Sequence, residues 1–492
     1  MSMSTLQQLN PLNRFARQLP DWHRPQRAEP LPAPYLVHVS ALAAGLLGLT
    51  EDACRSEAML AMASGNVFPD WCEPVATVYS GHQFGVCVPQ LGDGRALLLG
   101  EVEGTNGLSW EVQLKGAGRT PFSRHADGRA VLRSSIREYL CSEAMFGLGV
   151  PTTRALAIIG SPLPVYRETV ETASVVIRLA PRFVRFGHFE FAFLQGNTEQ
   201  ARQLADFVIA HDLPECQQAP NPYLAMLDTV MHRTANLMAD WQAVGFCHGV
   251  MNTDNMSILG LTIDYGPFGF LDAYDPEHIC NHTDTYGRYA YRQQPAVGYW
   301  NLRVLASVLL PLINDKDAAI ELLEQYPAIY QQAFETRMQA KLGWSEWQAE
   351  DEALLRDTLQ LLADQKVDYT RFWRALSHFS ITDAATASAV LDECRDRDAA
   401  SAWLDKYRAR LVQEGSVDAV RQQRMLGTNP KFVLRNHLAE EAIRAARDQQ
   451  DFSLIDQLMT VLANPFDEHP AFARFADLPP DWAGELEVSC SS

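Results

Sequence analysis

The stretch from residue 248 to residue 266 carries polar side chains whose types and spacing suit a metal–phosphate site. His248-Gly249-Val250-Met251-Asn252-Thr253-Asp254-Asn255 is predicted to be a loop and Asp264-Tyr265-Gly266 a tight turn, with a short apolar strand between them over 256–263. Asn255 and Asp264 then lie at the two ends of that strand. An amide oxygen and a carboxylate oxygen are hard ligands of the kind that Mg²⁺ prefers, so we interpret this pair as metal ligands. Capping of a turn by Asn255 is the alternative.

Protein kinases use the same order of residues, with a catalytic loop of the form H-x-D-x-x-x-x-N followed by D-F-G. His248 and Asn255 fit the loop pattern, and Asp264 opens a D-F-G-like turn. The kinase base is missing, because Val250 stands at its position, and Asp254 instead supplies a carboxylate beside the metal-binding asparagine. The sequence therefore indicates a metal–nucleotide site in which the group that activates a hydroxyl lies at a different position from the kinase base. His248 is interpreted as a hydrogen-bonding residue that orients the loop.

Elements upstream must supply the groups that hold phosphate. The alternating stretch 110–115 is typical of a strand and ends on Lys115, and a helix is predicted over 133–145. Since kinases pair a strand lysine with a glutamate of the next helix, we predict that Lys115 pairs with Glu138, with Glu143 as the second choice. Gly92-Asp93-Gly94-Arg95 predicts a glycine turn that opens a strand over 96–99. Each signal is weak alone, and their order along the chain supports the prediction.

Hydrophobic spacing organises the rest of the chain. Residues 75–190 are rich in strand patterns, including a hairpin pair over 155–159 and 174–179, and the chain after 196 turns helical. A predicted helix that ends near Gly245, directly before His248, carries on one face Leu227, Val230, Met231, Thr234, Met238 and Trp241. No period is visible from 265 to 300, as in an activation-type segment, and a helix is predicted over 301–312.

We predict an α+β protein with a two-lobed, protein-kinase-like fold, an N-terminal strap and an all-helical C-terminal extension. The strap follows from the closely spaced prolines between Pro25 and Pro34, which enforce extended backbone. The predicted parts are an N-terminal extension (1–75), an N-lobe (76–195), a C-lobe (196–314), a helical extension (315–465) and a tail expected to be mobile (466–492).

Composition limits the classes of partner. The chain of 492 residues has 41 Lys and Arg against 60 Asp and Glu, a net charge of −19, which argues against binding to nucleic acid or to anionic membranes. Local basic density at Arg119, Arg124, Arg129, Arg133 and Arg137 is compatible with a triphosphate pocket or with helix-surface charges. The nine cysteines form no disulfide pattern, no secretory signal is recognised, and no apolar run is expected to reach membrane-spanning length. We therefore expect a bacterial cytoplasmic protein.

Long motifs across the chain resemble the selenoprotein O family. They are Tyr79-Ser80-Gly81-His82-Gln83-Phe84-Gly85, Gln113 to Gly118, Asp127 to Glu138, Arg185-Phe186-Gly187-His188-Phe189-Glu190, His248 to Asn255, Asn429-Pro430-Lys431 and the terminal Cys490-Ser491-Ser492. The resemblance implies a kinase-like fold that transfers AMP, rather than phosphate, from ATP to protein hydroxyls. We expect the acceptors to be Ser, Thr or Tyr, and the metal to be Mg²⁺, with Mn²⁺ as the alternative.

The resemblance also implies roles for single residues. Arg178 and Arg185 would hold the nucleotide in a flipped orientation, with its β- and γ-phosphates buried, and Asp264 would take part in binding ATP. The other nucleotide contacts match Gly92, Gly94, Arg95, Asp127 and Gly128. Asp254 becomes the expected base, both by this resemblance and because the kinase position is lost, with a turn residue as the alternative.

Selenocysteine in the tail of some family members implies redox chemistry at Cys490. We expect Cys280, in the aperiodic segment after Asp264, to be its partner in a reversible disulfide that lowers activity under oxidation. Two free thiols that never meet are the alternative.

Other functions remain open at this stage. A conventional phosphotransferase and a catalytically inactive pseudokinase scaffold that binds ATP are the rivals, and the loss of the kinase base favours the scaffold over the phosphotransferase. Retention of Lys115, Asn255 and Asp264 argues against the scaffold. Use of UTP instead of ATP is compatible with the sequence, because no residue that reads the base is identified.

Overall fold

The computed structural model describes residues 5–488 and has mixed α and β structure built on an antiparallel sheet. The strands are β1 (His23–Pro25), β2 (Tyr35–Val39), β3 (Val75–Gln83), β4 (Val86–Gly92), β5 (Ala96–Glu103), β6 (Ser109–Lys115), β7 (Ala130–Val131), β8 (Arg154–Tyr166), β9 (Val170–Ala180), β10 (Phe246–Cys247) and β11 (Gly269–Phe270). The order of strands in the sheet is β1-β3-β5-β6-β9-β8-β2, with β4 paired to β3 and β7 paired to β9.

Helices make up most of the remainder. Their bounds are α1 (Arg14–Gln18), α2 (Ala41–Leu46), α3 (Glu51–Cys54), α4 (Glu57–Ala63), α5 (Leu132–Gly147), α6 (Phe186–Leu194), α7 (Thr198–Asp212), α8 (Pro222–Val244), α9 (Gln294–Ile313), α10 (Lys316–Leu323), α11 (Tyr326–Leu342), α12 (Asp351–Gln365), α13 (Tyr369–Ser377), α14 (Ala387–Leu391), α15 (Arg397–Gln413), α16 (Asp418–Leu426), α17 (Asn436–Gln449) and α18 (Ser453–Ala463). The helices predicted over 133–145 and 301–312 are confirmed as parts of α5 and α9.

The register of the central strands places charged side chains on one face of the sheet. Gln113 of β6 lies opposite Arg178 of β9, and Lys115 follows two residues after Gln113. Because side chains alternate between the faces of a strand, these three share a face, whereas Leu114 and Ile177 enter the apolar core on the other side. The predicted hairpin pair over 155–159 and 174–179 is confirmed as β8 and β9.

Helix α8 delivers the chain into the loop that begins at His248. It ends at Gly245, whose φ of 73° lies in the left-handed region, and the Gly245 N–H donates to the carbonyl of Trp241. The two short strands β10 and β11 then pair with each other. This pairing brings the two ends of the segment 248–268 side by side. The helical period of the sequence and the glycine stop are both confirmed.

The predicted strand over 256–263 is wrong. Only isolated bridges form there, between Ser257 and Arg185 and between Thr262 and Thr152. Gly260, with φ of 70°, turns the chain in the middle of the stretch, where its N–H donates to the carbonyl of Ser257. The apolar side chains are buried because the loop is covered by neighbours, which produces the same hydrophobic pattern as a short buried strand.

Helix α9 begins earlier than its pattern indicates, because Pro295 occupies its first turn, where a missing N–H costs nothing. The stretch Tyr291–Ile313 is long and apolar enough to cross a membrane, so the prediction that no run reaches this length is wrong. Its most apolar window is 56% buried inside the protein, and Leu302, Leu305 and Leu309 pack in the core with α8. Packing inside the protein accounts for this composition.

Residues 466–488, for which the sequence predicts mobility, pack against the body of the protein. Phe475 is buried, and Trp482 contacts the ring of His437 edge-on. The backbone N–H of His282 donates to the carbonyl of Val488 at 3.0 Å. The end of the described chain therefore lies beside the aperiodic segment that follows Asp264.

Candidate active site

A cavity of about 820 Å³ lies between the charged face of the sheet and the loop from His248 to Pro267. Its lining includes every nucleotide- and metal-site residue predicted from the sequence, namely Gly92, Gly94, Arg95, Lys115, Asp127, Gly128, Arg178, Arg185, Asp254, Asn255 and Asp264. The volume is in the range of cavities that hold a drug-sized or nucleotide-sized ligand. The structure thus brings together residues that are distant in sequence. The most distant two, Gly92 and Asp264, are 172 positions apart.

Lys115 is fixed at the base of the cavity by Glu138 of α5. Its ammonium pairs with one carboxylate oxygen of Glu138, and Arg178 approaches the other at 3.2 Å. Glu143, the second choice, instead pairs with Arg154 at 2.7 Å and accepts a hydrogen bond from the hydroxyl of Ser40. Burial lowers the pKa of Lys115, while the neighbouring Glu138 carboxylate opposes that shift. The lysine and glutamate therefore meet as predicted.

Asp264 is clasped by two arginines. Its two carboxylate oxygens pair with Arg178 and Arg185, and the backbone at Asp264 has a φ of 58°, in the left-handed region. Burial alone would raise the pKa of this carboxyl, but the two guanidinium groups hold it well below its usual range. Asp264 is thus an ionised carboxylate at neutral pH, and 19% of its side chain is exposed.

Asp254 lies in a drier and less charged position. It is 7% exposed, its Oδ2 accepts a hydrogen bond from Gln83 at 3.2 Å, and its Oδ1 has no hydrogen-bond partner within residues 5–488. Burial raises the pKa of Asp254 to about 6, although the hydrogen bond from Gln83 and the charge of Arg185 both lower this pKa. A buried carboxylate with one free oxygen is suited to accept a proton from a group placed in the cavity.

The tip of the β3–β4 hairpin holds the loop that carries Asp254. The N–H of His82 donates to the hydroxyl of Thr253 at 2.7 Å, and the N–H of Phe84 donates to Asn252 Oδ1 at 3.1 Å. Phe84 and Gly85 have φ of 51° and 83°, the geometry of a two-residue hairpin turn with left-handed backbone. Gln83 is the one hydrogen-bond donor to the Asp254 carboxylate within the described chain, and sequence reasoning quoted its motif without giving it a role.

His248 hydrogen-bonds to the backbone of the loop and is not part of the cavity lining. Its Nδ1 accepts from the N–H of Val250 at 3.3 Å and its Nε2 lies 2.9 Å from the carbonyl of Ile263. These partners require the neutral ring with the proton on Nε2, and burial lowers its pKa accordingly. The orienting role predicted for His248 fits this geometry.

The oxygen atoms around the cavity suit a hard divalent cation. Asn255 donates its amide nitrogen to the carbonyl of Val250 at 3.1 Å, which turns its amide oxygen away from that carbonyl. Asp264 is ionised and lines the same cavity. No group of three or more His, Cys, Asp or Glu residues with metal-binding geometry occurs within residues 5–488, so phosphate oxygens would have to complete the ligand set.

The basic stretch noted in the sequence divides between two places. Arg119, Arg124 and Arg129 line the cavity, whereas Arg133 pairs with Glu171 and Arg137 donates to the carbonyl of Phe268. Arg167, which sequence reasoning missed, pairs with Asp127 at 2.8 Å on the cavity wall. Asp127 therefore has a partner inside the chain, and no local sequence signal joins these two residues.

Cys280 lies outside the cavity lining. Its thiol donates to the carbonyl of Cys247 at 3.4 Å, and burial raises its pKa well above the usual range. Cys490 falls outside the described residues. His282, two positions after Cys280, contacts Val488, two positions before Cys490.

Gly81 leaves room for Asp254, and we predict that Gly81→Ala lowers catalytic turnover. A Cβ at Gly81 would lie 2.4 Å from Asp254 Oδ1 and 2.9 Å from Asp254 Cβ, so the carboxylate would have to move. A displacement of about 1 Å costs on the order of 100-fold in rate. Steady-state transfer rates and thermal melting should be measured beside Gly45→Ala, where a new Cβ meets nothing within 4 Å. Equal rates for the two variants would contradict this reading of Gly81.

Comparisons with known proteins agree on one class. The chain is 58% identical over 480 residues to the protein nucleotidyltransferase YdiU of Cupriavidus metallidurans, covering 94% of this chain and 88% of that protein. It is 54% identical over 496 residues to the protein nucleotidyltransferase YdiU of Thioalkalivibrio sulfidiphilus, covering all of both chains. The chain is thus that of an enzyme, a protein nucleotidyltransferase.

A family comparison places the chain more closely. Residues 5–463 match the family described as protein adenylyltransferase SelO. The chain belongs to the SelO family, which confirms the resemblance drawn from its motifs.

Proposed function

We propose that this enzyme transfers AMP from ATP to Ser, Thr or Tyr hydroxyls of other proteins, in a bacterial cytoplasm. The observation that carries the proposal is the pairing of two carboxylates with different environments in one cavity. Asp264 is held ionised between Arg178 and Arg185, whereas Asp254 keeps a buried, unpartnered oxygen. Two carboxylates whose pKa values are pushed apart suit two roles, electrostatic binding and proton transfer.

The substrate ATP fits the cationic floor of the cavity. Lys115, Arg178 and Arg185 converge there, and Arg119 and Arg124 line the same space. Guanidinium groups bind phosphate oxygens through paired N–H donors. We assign the β- and γ-phosphates to this floor, which leaves the α-phosphorus toward Asp254, and we assign further nucleotide contacts to Gly92, Gly94, Arg95, Asp127 and Gly128.

The reaction is an in-line displacement at the α-phosphorus. The acceptor oxygen forms the new P–O bond, the bond from the α-phosphorus to the bridging oxygen breaks, and pyrophosphate leaves with that electron pair. The hydroxyl proton goes to the free oxygen of Asp254. Lys115 and the two arginines stabilise the charge that grows on the leaving pyrophosphate, because they are already oriented in a dry site.

Asn255 and Asp264 are the residues that would hold Mg²⁺ or Mn²⁺. When bound, the cation supplies charge neutralisation of the phosphates. Asp264 would then share its carboxylate oxygens between the cation and the two arginines, and phosphate oxygens are suitable replacement partners for Arg178 and Arg185. Removal of divalent cations with EDTA is therefore expected to abolish transfer.

The arrangement supports a kinase-like, two-lobed interpretation of the fold. A strand lysine paired with a glutamate of the next helix, and a helix that leads into a loop carrying the metal asparagine, occur here in the order that kinases use. The five-part division of the chain at 75, 195, 314 and 465 stays a prediction.

Labelled nucleotides test the proposed reaction. We expect label from α-³²P ATP, and none from γ-³²P ATP, to appear on a general protein acceptor or on the enzyme itself. Label from the γ-position would contradict the proposal in favour of phosphate transfer, and absence of both labels would favour an ATP-binding scaffold. Competition with UTP in the same assay tests which base is preferred.

We also propose the reversible Cys280–Cys490 disulfide as a redox control. The hydrogen bond between His282 and Val488 supports it, because it places a residue two positions after Cys280 against a residue two positions before Cys490. Because the buried Cys280 thiol has a raised pKa, its oxidation should be slow. Peptide mapping of oxidised protein should find this bond, and transfer should rise when a thiol reductant breaks it. Two unpaired thiols in oxidised protein would contradict the proposal.

A further inference from the structure

Two loops beside Asp254 expose an unusual set of large apolar side chains. The tip of the β3–β4 hairpin exposes Phe84 and Val86, by 37% and 69%, and the segment after Asp264 exposes Ile279 and Tyr286, by 42% and 98%. Single exposed apolar residues need no explanation, but a group of them on adjoining loops marks an interaction surface. We call this surface, together with Arg288, the lip.

The two loops of the lip are in contact with each other. A Cβ at Gly85 would lie 3.2 Å from the Cζ of Arg288, and the rings of Phe84 and Tyr289 have centroids 5.1 Å apart. Ile279 reaches Gly287, where a Cβ would lie 3.1 Å from its Cδ1. The lip is therefore one continuous surface built from two segments, 84–86 and 279–288, that are about 200 residues apart in sequence.

The lip is rigidly tied to the loop that holds the base. Tyr289 donates its hydroxyl to Asn252 Oδ1 at 2.7 Å, and the N–H of Phe84 donates to the same oxygen at 3.1 Å. Gln83, next to Phe84, reaches the carboxylate of Asp254. A polypeptide seated on the lip would consequently be placed beside the proton acceptor and at the mouth of the cavity.

Arg288 gives the lip a positive charge that has no ion-pair partner in the part of the chain that the structure describes. Its Nε is buried without a hydrogen-bond partner within residues 5–488. Its Cζ lies 4.7 Å from the ring centroid of Trp300, which holds the guanidinium in place. The nearby Asp284 forms no ion pair with the Arg288 guanidinium, and its two carboxylate oxygens instead accept hydrogen bonds from the backbone N–H groups of Arg288 and Tyr289.

We propose that the lip docks the acceptor polypeptide, and that it prefers a segment with an apolar side chain and a carboxylate close to the accepting hydroxyl. The apolar side chain would cover Val86 and Tyr286, and the carboxylate would pair with Arg288. This assignment rests on the proposed transfer to protein hydroxyls. Charge complementarity favours an acidic segment locally, although the enzyme as a whole carries a net charge of −19.

Two fluorescein-labelled peptides test the lip. Both contain one serine and the same apolar residues, and the serine is flanked by aspartates in one and by lysines in the other. Binding is measured by anisotropy with a non-hydrolysable ATP analogue and Mg²⁺, and transfer is measured with α-³²P ATP. We compare the wild type with Arg288→Glu, Arg288→Gln and Tyr286→Ala. Arg356→Glu is the matched control, since Arg356 is an exposed arginine of α12 and the substitution changes net charge equally.

We expect Arg288→Glu to lower the ratio of kcat/KM for the acidic over the basic peptide at least tenfold relative to Arg356→Glu, with a smaller loss for Arg288→Gln. Tyr286→Ala should weaken binding of both peptides severalfold and leave binding of the ATP analogue unchanged. Equal peptide preference in Arg288→Glu and Arg356→Glu would overturn the proposal. The anisotropy measurement decides this even if no AMP is transferred, so failure of the lip and failure of the proposed reaction give different results.

Discussion

Replacing Asp264 with asparagine is expected to lower AMP transfer by about a thousandfold, the effect of removing a principal electrostatic group from an active site. The same variant should lose metal-dependent binding of ATP. Asp264 is the carboxylate that the two guanidinium groups of Arg178 and Arg185 keep ionised, and it is the charged member of the assigned metal pair. Without this carboxylate, the cation that would neutralise the clustered phosphate charges loses one of its two protein ligands.

The thermal stability of Asp264→Asn distinguishes lost binding from lost folding. Arg178 retains Glu138 and Gln113 as partners, and Arg185 retains the carbonyl of Asp254 at 2.8 Å. The fold should therefore survive, with a melting temperature lowered by the partial loss of buried pairing. Asp240→Asn is a matched control, because Asp240 pairs with Arg337 at 2.7 Å outside the cavity. Calorimetric titration with Mg²⁺ and an ATP analogue measures binding, and unchanged affinity would contradict the assigned role.

The parts of the site that lie on regular elements could be predicted from the sequence. Lys115 ends an alternating stretch and Glu138 lies within the helix that follows, so local periodicity and the kinase order suffice to pair them. The helix that leads to His248 has a clear apolar face and a glycine stop. Family motifs then named the glycines and arginines of the cavity wall, which periodicity alone did not identify.

Partners that depend on tertiary geometry could not be predicted. Arg178 reaches Asp264 because β9 pairs with β6 in a particular register, and a hydrophobic pattern does not encode the register between strands that are distant in sequence. Gln83 meets Asp254 only because the hairpin tip folds over the loop. The false strand over 256–263 shows the same limit, since burial by neighbouring segments gave a loop the composition of a strand.

Asp254→Asn is expected to lose transfer while ATP binding survives, whereas Asp264→Asn is expected to lose both. Asparagine has nearly the same shape as aspartate but cannot take the proton of the acceptor hydroxyl, and loss of a general base costs about 10²–10⁴ in rate. The Kd of an ATP analogue with Mg²⁺ should stay within about twofold, because Asp254 is not assigned to the phosphates or to the metal. The loss should therefore fall on kcat and leave the KM for ATP little changed.

Stability supplies an independent readout for Asp254→Asn. Burial raises the pKa of Asp254 to about 6, so at pH 7.5 the folded protein holds a carboxylate in a site that disfavours its charge. Removing the charge should raise the melting temperature at that pH by a few degrees, in a variant that has lost its activity. Near-normal turnover would show that another group takes the proton. Lost turnover together with a lowered melting temperature would instead assign Asp254 to holding the loop, through its contact with Gln83.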